Sequence, residues 1–287
     1  MNHAAPSGRS DELLVRRFSL DLTTLPRYWF ANNALLTHAL NAQNLFFPDA
    51  ERFFIRSVRK HMDHVTDPEQ RAEVKAFIGQ EVQHGRSHDD VLDQLRAQGF
   101  RIDGWLSGYR GCMAMFERLA SPKLCLSVTA AVEHFTASVA ECWLTEGRMP
   151  LAHPTMGDLL GWHAAEEIEH KAVAFDVLQQ VDDRYWLRVV GMLLATLFLL
   201  MLLVGGTVML LWQDPEATWR RVMDERASAN ADGIRATRFI ERHMAPYLRR
   251  DFHPNDHDNR QLACDFLAQI ASRLKTSRPR PARQKTA

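Results

Sequence analysis

The chain has 287 residues, 46% of them hydrophobic, which is enough for one large domain with a substantial core. Its 35 Lys and Arg balance 35 Asp and Glu, so the zero net charge excludes a whole-molecule attraction to nucleic acid. The balance is uneven along the chain: residues 213–287 carry 15 Lys/Arg against 10 Asp/Glu, a net of +5 that leaves −5 for residues 1–212. Cys112, Cys125, Cys142 and Cys264 form no CxxC pair and follow no secretory signal, which implies reduced thiols in a cytosolic compartment.

Residues 1–18 are polar and expected to be a disordered N-terminus. From there to residue 185 the pattern is helical, with almost no period-two alternation to suggest strands. A first helix is expected over about residues 28–65, bent at Pro48 by the missing donor. "TDPEQ" caps a second, with Thr66 or Asp67 as N-cap, running to about Gln98. The glycine-rich "GFRIDGWLSGYRG" is expected to be a loop or a broken helix. A third helix covers roughly residues 122–147, and a fourth runs from about Met156 to Val181.

Residues 186–213 form a hydrophobic segment whose central 24 positions, Val189 to Trp212, contain no charged residue. As a helix those 24 residues span about 36 Å, enough to cross a bilayer core of about 30 Å. Trp186 and Trp212 stand at its ends, where indoles favour the membrane interface. Arginines flank both ends (Arg184 and Arg188, then Arg220 and Arg221), so the positive-inside rule does not set the orientation. A complete span would put the basic C-terminal region outside, against that rule, and Gly205 and Gly206 permit a bend, so a membrane-embedded, non-spanning helix is the alternative. Residues 214–275 are expected to hold further helices separated by "RRDFHPNDHDN", and 276–287 to form a basic disordered tail suited to anionic headgroups or to solubility. "FHPND" has turn composition and is a candidate to fold over a cavity mouth.

The chemistry lies in the first 185 residues. Helical positions three, four and seven apart share a face. In "EVQHGRSH" this aligns Glu81, His84 and His88; in "HAAEEIEH" it aligns His163, Glu167 and His170, with Glu166 and Glu169 pointing elsewhere, either into solvent or behind the ligands as their hydrogen-bond partners. Each Glu-x-x-His pair follows a lone glutamate in apolar surroundings: Glu51, 30 residues before Glu81, and Glu133, 34 residues before Glu167. Four buried carboxylates are expensive without compensation, whereas two divalent cations cancel their charge. Glu51, Glu81, His84, Glu133, Glu167 and His170 are therefore the expected metal ligands, with His88 and His163 as further donors or hydrogen-bond partners of the carboxylates. His134 points away and is expected to be structural; His61 and His64 are expected at the surface. This is the ligand set of ferritin-like di-iron and di-manganese proteins, so the expected fold is all-α: a ferritin-like four-helix bundle with an appended membrane helix and C-terminal helices.

The stretches "LFFPDAERFFIRSVR", "AFIGQEVQHGRSH", "AAVEHFT" and "WHAAEEIEHKAVAFDV", with "DFHPND" further on, also resemble a bacterial ferritin-like family catalogued as predicted metal-dependent hydrolases. The resemblance covers about residues 20–260, and the positions it implies for metal are the same six. The cofactor expected from the ligand set is a pair of iron ions, with manganese or a mixed iron–manganese pair as the alternative. The expected function is O2-dependent oxidation, hydroxylation or desaturation of a hydrophobic, lipid-like substrate, drawing on membrane lipid and an electron donor. Hydrolysis by hydroxide generated from metal-bound water is the alternative, although HExxH, HxxEH and GxSxG signatures are absent. Metal storage or sensing is a third class, for which no acidic translocation surface is evident. The expected location is the bacterial cytoplasmic membrane, with the metal-binding bundle on its cytoplasmic side.

Overall fold

A computed structural model describes residues 13–18, 21–232 and 239–277. The fold is helical in all its main elements. Helix α1 spans Ala34–Arg59 and starts where the Asn33 side chain accepts from Leu36 N at 2.8 Å. Helix α2, Pro68–Ala97, begins at Asp67, whose carboxylate caps Gln70 N at 2.9 Å, with Pro68 in the first turn where no donor is needed. Helix α3 is Asp103–Leu119 and α4 is Pro122–Thr145, the latter capped by Ser121. Helices α5 (Pro154–His170), α6 (Val173–Val181) and α7 (Tyr185–Gln213) follow, then α8 (Trp219–Asp232). After a wide helical turn at Ile240–Met244, α9 follows at Arg260–Ile270.

Several sequence expectations need correction. The "GFRIDGWLSGYRG" stretch is helical from Asp103 onward, because Leu106, Tyr109 and Met113 recur on one face and bury it. That burial outweighs about 1 kcal/mol lost for each interior glycine. The expected fourth helix is two, broken at Lys171 and Ala172 just after His170. Helix α1 begins later than expected and runs through Pro48, which is buried. A short antiparallel pair joins β1 (Val15–Phe18) to β2 (Leu274–Ser277), with Val15 opposite Ser277 and Phe18 opposite Leu274. Residues 15–18 are thus a strand against α2 rather than part of a disordered terminus, and so are 276 and 277 at the other end. Strands of four residues are too short to leave a period-two signature. The remaining terminal residues, 1–12 and 278–287, lie outside the described part.

Helices α1, α2, α4 and α5 pack around one another and contribute the acidic and histidine side chains; α7 lies along α1 and α4. The α4–α7 crossing is close. A Cβ on Gly191 would stand 2.1 Å from Ser127 Oγ and 2.7 Å from Ser127 backbone atoms. Gly206 meets Ala42 of α1 in the same way, at 3.0 Å. Both ends of α7 are fastened by buried polar groups. Arg188 sits among the rings of Phe175, Tyr247 and Phe252, and Asp214 accepts from Tyr28 Oη at 2.9 Å and lies 2.8 Å from His38 Nε2. Its outer face is apolar and exposed over its whole length, through Trp186, Leu193, Leu197, Leu200, Val204 and Trp212.

The glycine contact makes a direct prediction. Gly191→Val forces α7 away from α4, and overpacking of this kind costs about 1–3 kcal/mol or more. Urea denaturation should show that loss. Unchanged stability would mean that the two helices do not approach as closely as described.

Candidate metal centre

All six expected ligands converge. Glu51 comes from α1, Glu81 and His84 from α2, Glu133 from α4, and Glu167 and His170 from α5; each is 4% exposed or less. The helical stripes place them inward, and one glycine makes the convergence possible. A Cβ on Gly85 of α2 would come within 2.9 Å of Glu51 Oε2, so only a residue without a side chain leaves room there.

Donor atoms fall into two overlapping sets. Glu51, Glu81 and His84 offer atoms all within 4.8 Å of one another, and so do Glu81, Glu133 and His170. Glu81 belongs to both and bridges them. Glu167 Oε1 lies 3.7 Å from His84 Nδ1 and 3.6 Å from His170 Nε2, which gives it the same bridging position. His170 Nε2 stands 3.3 Å from Glu81 Oε1 and 3.2 Å from Glu133 Oε2. Two donors about 2.1 Å from one ion at a right angle are about 3 Å apart, so these spacings fit ligand edges of a coordination polyhedron.

The hydrogen-bond inventory makes the same case. Both oxygens of Glu51, Glu81 and Glu133, together with His84 Nδ1 and His170 Nε2, are buried without a hydrogen-bond partner. Buried polar atoms in native proteins are nearly always satisfied, and eight orphans on five neighbouring residues need an explanation. Four carboxylates and neutral imidazoles match two divalent cations in charge, donor type and number.

Behind the inward atoms lies a second layer that sequence reasoning largely missed. His84 Nε2 meets Glu166 Oε2 at 3.0 Å, so the ring proton sits there and Nδ1 points inward with its lone pair. His170 Nδ1 donates to Gln80 Oε1 at 2.9 Å, while Gln80 Nε2 donates to Leu14 O and Glu169 Oε2, both at 3.1 Å. Arg16 of β1 ties the layer together: its guanidinium donates to Glu166 at 3.0 Å and to Glu169 at 2.6 and 3.0 Å. Glu166 is completely buried, so its offset from the ligand stripe marks a partner of His84, not a solvated residue. Thr136 Oγ1 donates to Glu167 Oε2. Nothing in the sequence marks Arg16, which reaches the centre only because β1 pairs with the far end of the chain.

The other histidines divide as follows. His88 and His163 are buried beside the centre. His134 is structural as expected, its Nε2 donating to His243 O at 2.8 Å. His64 is exposed, but His61 is buried at 6% exposure, contrary to expectation. The "FHPND" segment packs on α6, with His253 Nε2 2.8 Å from Asp176 Oδ1 and Phe252 against Phe175, and does not line the cavity described below. Glu141, His243 and His257 form a second His–carboxylate group, but Glu141 already accepts from Arg242 at 2.7 Å and Asn259 at 2.9 Å, which makes it a fastening for the C-terminal segment. All four cysteines are free.

An apolar cavity of about 270 Å³ opens against the centre, reaching Glu167 and His163 at its inner end. Its walls include Leu40, Phe47, Phe135 and Trp143, with Leu203 of α7 at its edge. A smaller cavity of about 100 Å³ lies between α1, α3, α4 and α7. Its own lining is likewise almost entirely hydrocarbon, with Phe53, Met113 and Phe198 among its walls.

A buried constellation of carboxylates and histidines on packed helices defines a metal-dependent protein. The chain belongs to the family described as "predicted metal-dependent hydrolase", which matches residues 14–258. Searches of curated proteins and of solved structures find no match to it.

Without a cation, burial drives the Glu51 carboxyl well above its ordinary range, with Glu81 adding to the effect. Burial likewise carries Glu81 and Glu133 up to about 8. Burial opposes charge on Glu167 too, yet His170 holds it well below the usual range, and Glu167 and Glu133 in turn hold His170 well above its own against burial. An acid whose folded pKa is raised contributes stability below its unfolded value and loses it as pH climbs through the folded one. Metal-free protein should therefore lose stability between about pH 4.5 and about 8, and raised His170 has the same sign above 6.5. Denaturation across that range should show the fall, and a saturating divalent metal should remove it because the ion replaces the protons. A flat metal-free profile would contradict the assignment. Arg16→Met should weaken metal binding by about 10–100-fold, since outer partners of ligands have effects of that order. Titration with a chelator as competitor measures it, and an unchanged affinity would mean that the Arg16 layer does not position the histidines.

Proposed function

We propose that the protein is a two-metal enzyme that oxidises an apolar, lipid-like substrate with O2. The observation that carries this reading is the pairing of a carboxylate-rich, two-ion ligand set with an adjoining cavity walled by hydrocarbon. Iron bound by such a set would supply the redox chemistry that O2 oxidation requires, with electrons drawn from an external donor. The protein's own contributions are positional. The glutamates and His84 and His170 hold the ions, Thr136 fixes one oxygen of Glu167, and the Arg16 layer orients both rings. Phe47, Phe135 and Leu40 exclude water and align an alkyl segment beside Glu167.

The second reading is hydrolysis, which the family description supports directly. Paired divalent ions also activate water, and the same cavity would then hold the apolar part of an ester or amide. The two readings separate cleanly. On the first, protein produced aerobically with iron contains about two irons per chain, and its ferrous form consumes O2. Zinc without iron, an inert ferrous form and turnover of a long-chain ester in air-free buffer would establish the second.

The outer face of α7 supports contact with lipid. Leu203 borders the cavity while Leu200 and Val204, its neighbours, are 57% and 54% exposed, so the route inward begins at the apolar stripe. Trp186 and Trp212 are 68% and 90% exposed at its two ends. Because α7 is fastened to α1 and α4 along its inner face, the proposal is a helix lying in the interface, one side on protein and one on hydrocarbon. The cytoplasmic face of the bacterial membrane remains the proposed location. Leu197→Glu with Val204→Glu should abolish flotation of the protein with phospholipid vesicles while leaving its metal content intact. Undiminished flotation would remove α7 as the lipid-contacting face.

A further inference from the structure

We infer that His163 is a third imidazole ligand, bound through Nε2 at the ion position framed by Glu51 and His84, and that Asn44 and His88 exist beside it to enforce the required tautomer. The inference rests on the two-metal reading above and deepens it.

Proton placement along a buried chain of side chains fixes the tautomer of His163. Asn44 Nδ2 donates to Leu40 O at 2.8 Å, one turn back on α1, which fixes the orientation of the amide and leaves Oδ1 as an acceptor. His88 Nδ1 lies 2.7 Å from that oxygen and must therefore carry a proton. A neutral His88 then presents a lone pair at Nε2, and His163 Nδ1, 2.6 Å away, must donate to it. A neutral His163 is left with a lone pair at Nε2. That atom does not face a donor. It lies 2.8 Å from Glu167 Oε1 and 4.0 Å from Glu51 Oε1. Two lone pairs at 2.8 Å repel unless an electrophile lies between or beside them, and the separation is that of neighbouring ligands on one ion.

His163 thus repeats the pattern of the other two rings. His84 has one nitrogen on Glu166 and the other directed inward; His170 has one on Gln80 and the other inward. His163 has one on His88, itself locked by Asn44. All three are 4% exposed or less. Donor atoms of His84, His163 and Glu167 also lie mutually within 4.8 Å, as do those of Glu51, His88 and His163. The consequence is an uneven pair: two imidazoles at the position of Glu51 and His84, one at that of Glu133 and His170. Phe47, which borders the cavity, packs on both His88 and His163, with ring centroids 4.6 and 4.8 Å away. The nitrogen-rich position is thus the one facing the apolar cavity.

The test uses cobalt(II) as the probe. Imidazoles bound to cobalt(II) give strongly shifted N–H resonances that exchange with solvent, one per ring, and each ring here retains one N–H. Protein loaded with two cobalt ions should show three such signals in H2O that vanish in D2O. His163→Ala should remove one of them. His88→Leu should lower cobalt affinity by about 10–100-fold, whereas His88→Gln, whose amide oxygen can accept from His163 Nδ1, should largely restore it. Circular dichroism of each variant confirms folding. Two signals in the native protein, with His163→Ala unchanged, would overturn the inference and place a proton between His163 and Glu167 while leaving the two-ion centre intact. Failure to take up cobalt at all would overturn the two-metal reading, and with it this one.

Discussion

Uncompensated negative charge in a dry interior is the constraint from which the rest of this molecule follows. Four glutamates lie within a few ångströms of one another with at most 4% exposure. An isolated buried ion costs several kcal/mol after relaxation, and four of like sign cost more than a domain of this size can absorb from its net stability. Either protons or cations must supply the missing positive charge. The eight unpartnered atoms on Glu51, Glu81, His84, Glu133 and His170 converge on positions that cations can fill.

The architecture serves that compensation. Helices α1, α2, α4 and α5 bring one or two of the candidate ligands each, and Gly85 yields the space that the Glu51 carboxylate occupies. Behind the ligands, Arg16 balances part of the charge on Glu166 and Glu169 and thereby orients His84 and His170. The β1–β2 pair, marginal as a sheet, holds Arg16 in place and links the first described residues to the last. On the opposite side, α7 forms one wall of the cavities with its inner face and offers hydrocarbon outward with the other. The larger cavity thus touches both the carboxylate–histidine cluster, at His163 and Glu167, and α7, at Leu203.

Much of the centre was legible in the sequence because helical geometry is strict. Glu-x-x-His places both donors on one face whatever surrounds it, and a lone glutamate among Phe53, Phe54 and Ile55 signals a buried charge without reference to fold. The family match agrees with metal dependence, and the all-helical character stands as read. What escaped had physical causes. Arg16 and Gln80 act across long sequence separations, so no local pattern announces them. Glu166 lies off the ligand stripe by one helical step, which leaves solvent and a place behind His84 equally open until the facing helix is in place. The glycines of α3 imitate a loop because single-residue propensity carries no information about the buried face opposite. The break at Lys171 and Ala172 falls inside a continuous amphipathic pattern and leaves no breaker residue to reveal it. His61 lies more than two helical turns beyond Glu51, which gives the sequence no reason to bury it, but packing against neighbouring elements does.

The most direct examination of the central claim is anomalous diffraction from crystals of the iron-loaded protein. The account predicts two anomalous peaks about 3.5–4 Å apart. Glu81 and Glu167 should lie between them, Glu51 and His84 on one side, and Glu133 and His170 on the other. A single peak elsewhere in the molecule, or fully occupied crystals in which those glutamates remain unligated, would contradict it.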